Sequence, residues 1–189
     1  MTALTWVAKE VGVSERTLRR AVNEGTLRAT RPSPRKLVLP FSEERYAREH
    51  WPLIAKLREA LRTEHDVRFA MLFGSAARGE DTEASDVDVI VDLQADSQDE
   101  DSLWEIELEI KLEGVIGRSV DVVDLKRTEE DPTFLAMALE DGRVLVDREG
   151  TWARLRKREA AFRRRGEEID EERKQRALAR ADQFLARHR

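Results

Sequence analysis

The sequence predicts a mixed α/β body between two helical parts: a helix-turn-helix head with a hairpin wing before it and helices after it. Three observations predict this. Between residues 66 and 150, apolar runs of strand length alternate with helix-forming stretches. The first 50 residues hold two short helical patterns split by a glycine-containing turn, then two short extended runs. After Gly150 the chain is polar and helix-rich. The expected organisation is therefore a head over 1–50, a linking helix over 51–65, a body over 66–150 and a helical extension over 151–189.

Composition excludes several function classes. Without cysteine there is no disulfide scaffold, thiolate zinc site or catalytic thiol. Three scattered histidines argue against an imidazole metal site. No run of about 18 apolar residues exists to span a membrane, and the N-terminus lacks the basic and apolar regions of a signal peptide, so a cytoplasmic protein is expected. The net charge of −5 is uneven. Counted along the chain, residues 1–50 carry +4, 51–65 carry +1, 66–150 carry −16 and 151–189 carry +6. An acidic middle between basic ends points to parts with different partners.

In the head, Thr5–Glu10 reads as a helix with Trp6 and Val7 buried, interrupted by Gly12. Ser14 is placed to cap the next helix, with Val13 and Leu18 as a hydrophobic staple. Leu18, Ala21 and Val22 face a core, and Gly25 closes the helix. Thr26–Thr30 and Lys36–Leu39 read as a wing. Phe41–Arg62 is helical, with a break expected near Trp51-Pro52. Arg16, Arg19, Arg20 and Asn23 share the outward face of the second helix, and the wing adds Arg28, Arg31, Arg35 and Lys36. Guanidinium groups suit phosphates and guanine edges, and Asn suits adenine. The segment Leu4–Leu27 resembles the winged helix-turn-helix of excisionase and MerR-like DNA-binding proteins. That resemblance implies duplex DNA as a partner, with the Ser14–Asn23 helix in the major groove.

In the body, Val67–Phe73 reads as a buried strand ending at Gly74-Ser75, with Ala76-Ala77-Arg78 starting a helix. This places backbone N–H groups and a hydroxyl where an anion can bind. Ser85–Leu93 follows as an alternating strand. Asp86 and Asp88 share one face, roughly 7 Å apart, while Val87, Val89 and Val91 face a core. Paired carboxylates beside an apolar strand call for cations or raised pKa values. Hard divalent ions suit them and leave room for phosphate oxygens. A further strand, Ser119–Val123, offers Asp121. Three carboxylates beside an anion turn make a site for phosphoryl transfer with two metal ions. Asp81, Asp92, Asp96, Asp99, Asp101 and Asp124 are read as solvated. Arg45…His50 and Arg58…His65 match a ribonuclease-like Arg-x₄₋₆-His spacing, which so arginine-rich a chain produces by chance.

Leu72–Glu80 followed by Ser85-Asp86-Val87-Asp88 meets the pattern Gly-Ser, ten residues, Asp-x-Asp without a gap. In this the chain resembles the minimal, MNT-type nucleotidyltransferases of the DNA polymerase β superfamily, over about Val67–Asp147, with Arg143–Asp147 as a closing segment. The resemblance implies an α+β nucleotidyltransferase fold with a mixed sheet, ATP or another NTP as substrate, and two Mg²⁺ ions. It implies Asp86 and Asp88 as ligands of both ions, and Asp121 as ligand of the catalytic one and acceptor of the nucleophile's proton. It implies Gly74 and Ser75 on the triphosphate, with Arg78 helping to neutralise it. Some family members act as antitoxins, adding AMP to a HEPN-type ribonuclease toxin; larger ones modify aminoglycosides. The fused head departs from both. Three readings stand: AMP transfer to a partner protein such as a HEPN-type toxin, a DNA-binding regulator that senses nucleotide, and a small-molecule nucleotidyltransferase.

In the extension, Leu155, Phe162 and Ile169 recur every seven residues, Trp152, Leu178, Phe184 and Leu185 add apolar positions, and Gly166 is expected to split two helices. Such helices bury a stripe on the body or dock a partner.

Overall fold

The computed structural model describes residues 2–33, 36–94 and 103–187. Arg35, Asp96, Asp99 and Asp101 lie outside the described residues, as do the side chains of Phe184 and Leu185.

The chain opens with β1 (Thr2–Ala3), α1 (Leu4–Glu10) and α2 (Glu15–Glu24). Ser14 caps α2 by accepting the Thr17 N–H at 3.1 Å, and Gly25 ends it in a left-handed conformation, φ +88°. Leu18 and Ala21 are buried, and Val13 and Val22 pack against the same cluster. Trp6 is not buried as expected: it is 43% exposed, and Val7 alone fills the core position. The wing is β2 (Thr30–Ser33) against β3 (Lys36–Leu39), with β1 on the other side of β3. Residues 26–29 are not strand, because Thr26 and Leu27 turn inward into the core.

Next comes α3 (Phe41–Thr63), a single helix through Pro52. The expected break at Trp51-Pro52 does not occur. Trp51, Ile54, Leu57 and Leu61 bury one continuous stripe, and that burial outweighs the hydrogen bond a proline removes.

The body is a four-stranded sheet in the order β6-β5-β4-β7, built from β4 (Val67–Phe73), β5 (Val87–Leu93), β6 (Val120–Asp124) and β7 (Arg143–Asp147). The β5/β6 pair is parallel and the others antiparallel, so the sheet is mixed as expected. Val87, Val89 and Val91 face a core shared with α3, the head and α5 (Trp104–Ile116). Phe69, Met71 and Ile90 face a second core with α6 (Leu125–Glu130), α7 (Pro132–Asp141) and α8 (Thr151–Arg187). Both sheet edges are covered, which removes a template for intermolecular pairing. On α5, Glu109 and Glu113 accept the N–H groups of Val122 and Val120 at 3.0 and 3.2 Å. At the other edge the Val144 N–H donates to the Gly25 carbonyl at 3.2 Å, and its carbonyl accepts the Thr26 hydroxyl at 2.6 Å.

Gly166 does not split α8. A Cβ there would meet the Thr133 hydroxyl at 2.6 Å, so the glycine lets α8 lie close on α7. Leu155 and Phe162 are buried beneath the helix, Ile169 is half-buried and Leu178 is exposed. No helix among the described residues is long and apolar enough to cross a membrane.

Candidate active site

The strand β4 ends at Phe73, and the chain turns at Gly74 into α4 (Gly74–Arg78). Gly74 has φ +69°, a left-handed conformation that L side chains rarely adopt. A Cβ at this position would collide with the Asp88 carboxylate. Glycine is thus demanded twice, by backbone and by space. Ser75 follows, half-buried, and its hydroxyl has no hydrogen-bond partner among the described residues.

Asp88 lies on β5 opposite Phe73 of β4 and level with Asp121 of the parallel strand β6. Directly paired residues of neighbouring strands share a face, so the two carboxylates lie side by side. Asp86 stands just before β5 rather than within it, and like Asp121 it is exposed. Burial, then the charges of Asp121 and Asp86, push the half-buried Asp88 carboxyl above its ordinary value; Arg78 pulls the other way. Among the described residues no basic side chain forms an ion pair with any of the three. No three ligating groups there close into a preformed metal shell either. Arg78 borders it, exposed, with Nε donating to Glu80 at 2.7 Å and Nη1 to Asp141 at 3.4 Å.

Three aspartates expected to be solvated are structural. Asp81 receives Arg118 at 2.7 Å and His50 at 2.8 Å, with its side chain only 5% exposed. Asp92 is buried against Arg68 at 2.7 Å. Asp124 caps α6 through the Lys126 N–H. The partners of Asp81 and Asp92 lie 24–37 residues away, beyond the reach of local pattern. Arg58 is likewise buried against Thr26 and Glu24, 32 and 34 residues away, whereas Tyr46 stacks on His50, four residues along α3, at 4.6 Å between ring centroids.

On the head, Arg16, Arg19, Arg20 and Asn23 are all exposed on α2, and Arg31 reaches Asn23 Oδ1 at 3.0 Å. Arg19 pairs with Glu15 at 2.6 Å and Arg20 with Glu24 at 2.5 Å. A groove of about 660 Å³ runs from this face to α3, lined by Arg16, Arg20, Arg58 and Arg62 over Trp51 and Ala55. Arg58 and Arg62 come to it from α3, a different helix from the one that carries the basic pattern.

A family profile described as "Polymerase beta, Nucleotidyltransferase" matches residues 55–151. A Methanocaldococcus jannaschii protein named "Putative protein adenylyltransferase MJ1379" is 31% identical over 94 residues, covering 50% of this chain and 91% of that protein. A second protein of that organism, "Putative protein adenylyltransferase MJ0128", has the same identity and coverage. Among solved structures, a toxin–antitoxin with AMP-PNP is 22% identical with a TM-score of 0.46, covering 70% of this chain and 98% of that one. A tri-AMPylated Shewanella oneidensis HEPN toxin with MNT antitoxin gives 19% identity and a TM-score of 0.40, covering 74% of this chain and 98% of that one.

Proposed function

Because the chain belongs to the polymerase β nucleotidyltransferase family, we propose that it transfers AMP from ATP to a hydroxyl of a partner protein, such as a HEPN-type toxin, and that its head binds duplex DNA. The observation that carries the transfer is Asp88, seated against the Gly74 turn and level with Asp121 on the neighbouring strand, with the charge of Asp86 acting on it as well. The names of the curated relatives support a protein acceptor and AMP as the group moved.

The donor set suits Mg²⁺. It is all oxygen, burial and the neighbouring carboxylates push Asp88 upward, and the exposed Asp86 and Asp121 leave room for phosphate oxygens. Asp86 and Asp88 would hold two ions and Asp121 one of them. When bound, the ions would stabilise charge on the α-phosphate and the leaving pyrophosphate. The chain's own groups do the rest. The free hydroxyl of Ser75 and the backbone N–H groups at Gly74 and Ser75 receive the triphosphate. Arg78 faces the same charge. The acceptor oxygen forms a bond to the α-phosphorus as the bond to the β-phosphate oxygen breaks. Pyrophosphate leaves, and the hydroxyl proton passes to the exposed Asp121 carboxylate.

The exposure of Asp86 and Asp121 favours an acceptor that brings its own surface, since small-molecule sites bury most of their ligand. Transfer of label from α-labelled ATP to the partner should require a divalent cation, stop with EDTA and stop in Asp88→Ala. Transfer that survives both would remove the reading.

For the head, the exposed arginines of α2 and the arginine-rimmed groove beside it support a duplex as ligand, with Arg16, Arg19, Arg20, Asn23 and Arg31 at the contact and Arg35 expected there from sequence.

A further inference from the structure

The helix that carries the phosphate turn has five residues, below the length at which a helix holds itself in water. Its last carbonyls need partners from elsewhere. The Ser75 carbonyl finds local ones, the Gly79 N–H and, at 3.0 Å, the Glu80 N–H. The Ala76 carbonyl accepts the Tyr46 phenol at 3.1 Å, and the Ala77 carbonyl accepts Arg143 Nε at 2.5 Å. Tyr46 is on α3. Arg143 is on β7 but is fixed from α3: Glu43 receives Nη1 at 2.5 Å and Nη2 at 3.1 Å, a bidentate pair. The guanidinium also lies 3.3 Å from the Tyr46 ring centroid. Farther along α3, His50 stacks on Tyr46 and bonds Asp81, just beyond the helix exit at Gly79. At Gly79 a Cβ would meet the Tyr46 ring at 3.0 Å. Glu43, Tyr46 and His50 follow i, i+3, i+7 spacing, so one face of α3 grips the far end of α4.

We infer that Glu43 and Tyr46 of α3 are positioning residues for nucleotide transfer, clamping the Gly74-Ser75 turn through the Ala76 and Ala77 carbonyls; this rests on the proposed reading of that turn as the triphosphate site. The head helix is then part of the enzyme. A turn held only at its strand end would lose the alignment of its N–H groups with the polyphosphate, and misplaced binding groups cost rate even when the fold survives.

The test uses the full chain with Tyr46→Phe, which removes the hydroxyl and keeps the ring against His50 and Arg143. Hydrogen exchange should speed up over residues 74–79 and stay unchanged in β4 and β5. The KM for ATP should rise about fivefold to tenfold, the worth of one hydrogen bond, with kcat falling less. Thr26→Val is the comparison. It removes another buried hydroxyl from the head–body seam, one that donates to the Val144 carbonyl, accepts from Arg58 and makes no hydrogen bond to α4. It should lower the melting temperature while leaving KM and exchange at 74–79 as in the parent. Unchanged exchange at 74–79 in Tyr46→Phe, or KM rising in both variants in proportion to lost stability, would overturn the inference. If the parent transfers no nucleotide, the reading of the site fails, and the exchange contrast still decides whether the clamp exists.

Discussion

Gly74 carries a φ of +69° directly against the Asp88 carboxylate. Gly74→Ala therefore meets both backbone strain and a collision, and the strain alone is worth about 1–3 kcal/mol. The expected outcome is a lower melting temperature together with loss of AMP transfer; a variant of parental stability and rate would contradict the tight approach. Asp81 makes a separate prediction. Burial would push its carboxyl up, but the hydrogen bonds and charges of Arg118 and His50 outweigh that and hold it below its ordinary value. A carboxyl lowered on folding contributes stability above its unfolded pKa of about 3.9, and loses it as pH falls through the folded value. Asp81→Ala should therefore cost about 2 kcal/mol near pH 7, and the deficit should shrink as pH drops from about 4 downward in denaturant titrations. A deficit independent of pH would rule out the ion pair as its source. At this scale the sequence was legible where chemistry is local. Gly74, Ser75, Asp86 and Asp88 lie within one short segment, so their spacing marks them as a candidate site. Asp81 and Asp92 were misread because Arg118 and Arg68 reach them from distant parts of the chain.

The elements show the same division. Ser14 and Gly25 end α2 where their cap chemistry predicts, because capping depends on neighbouring residues. Pro52 and Gly166 were read as breaks and are not. In each case tertiary burial decides: α3 fills the space between head and sheet, and α8 needs a residue without a side chain to reach Thr133. Gly166→Val would push the valine into Thr133 on α7, against both its hydroxyl and its Cα at 3.0 Å. Overpacking of this kind costs about 1–3 kcal/mol. The cost should be read as faster exchange in α7 and the first half of α8, with β5 and its carboxylates undisturbed. A more stable Gly166→Val, through better helix propensity alone, would show that the two helices are not in close contact.

The whole molecule joins head and body through a polar seam that local pattern could not reveal. Glu43 and Arg143 form an ion pair whose side chains are 6% and 4% exposed, and Arg58 is buried among Thr26, Glu24 and the Val144 carbonyl. The family match beginning at residue 55 falls inside α3, the helix the two parts share. The charge asymmetry read from the sequence is arranged accordingly, with arginines along α2 and α3 and carboxylates at the sheet end that carries Asp88. Binding of duplex DNA by the head should fall steeply with salt, because binding releases counterions from the duplex. Arg62→Ala, which changes a groove residue 46% exposed, should weaken it for all sequences and lower the salt slope by about one. Absence of binding, or binding insensitive to salt, would refute the head's proposed role. The central claim is transfer of AMP by the carboxylates on β5 and β6. It is tested most directly by the intact mass of a partner protein encoded beside this chain, after incubation with the chain, ATP and Mg²⁺. The account predicts added mass of one or more AMP units with the parent chain and none with the Asp86→Ala/Asp88→Ala double variant. An unmodified partner alongside a modified small molecule such as an aminoglycoside, or equal modification by the double variant, would contradict it.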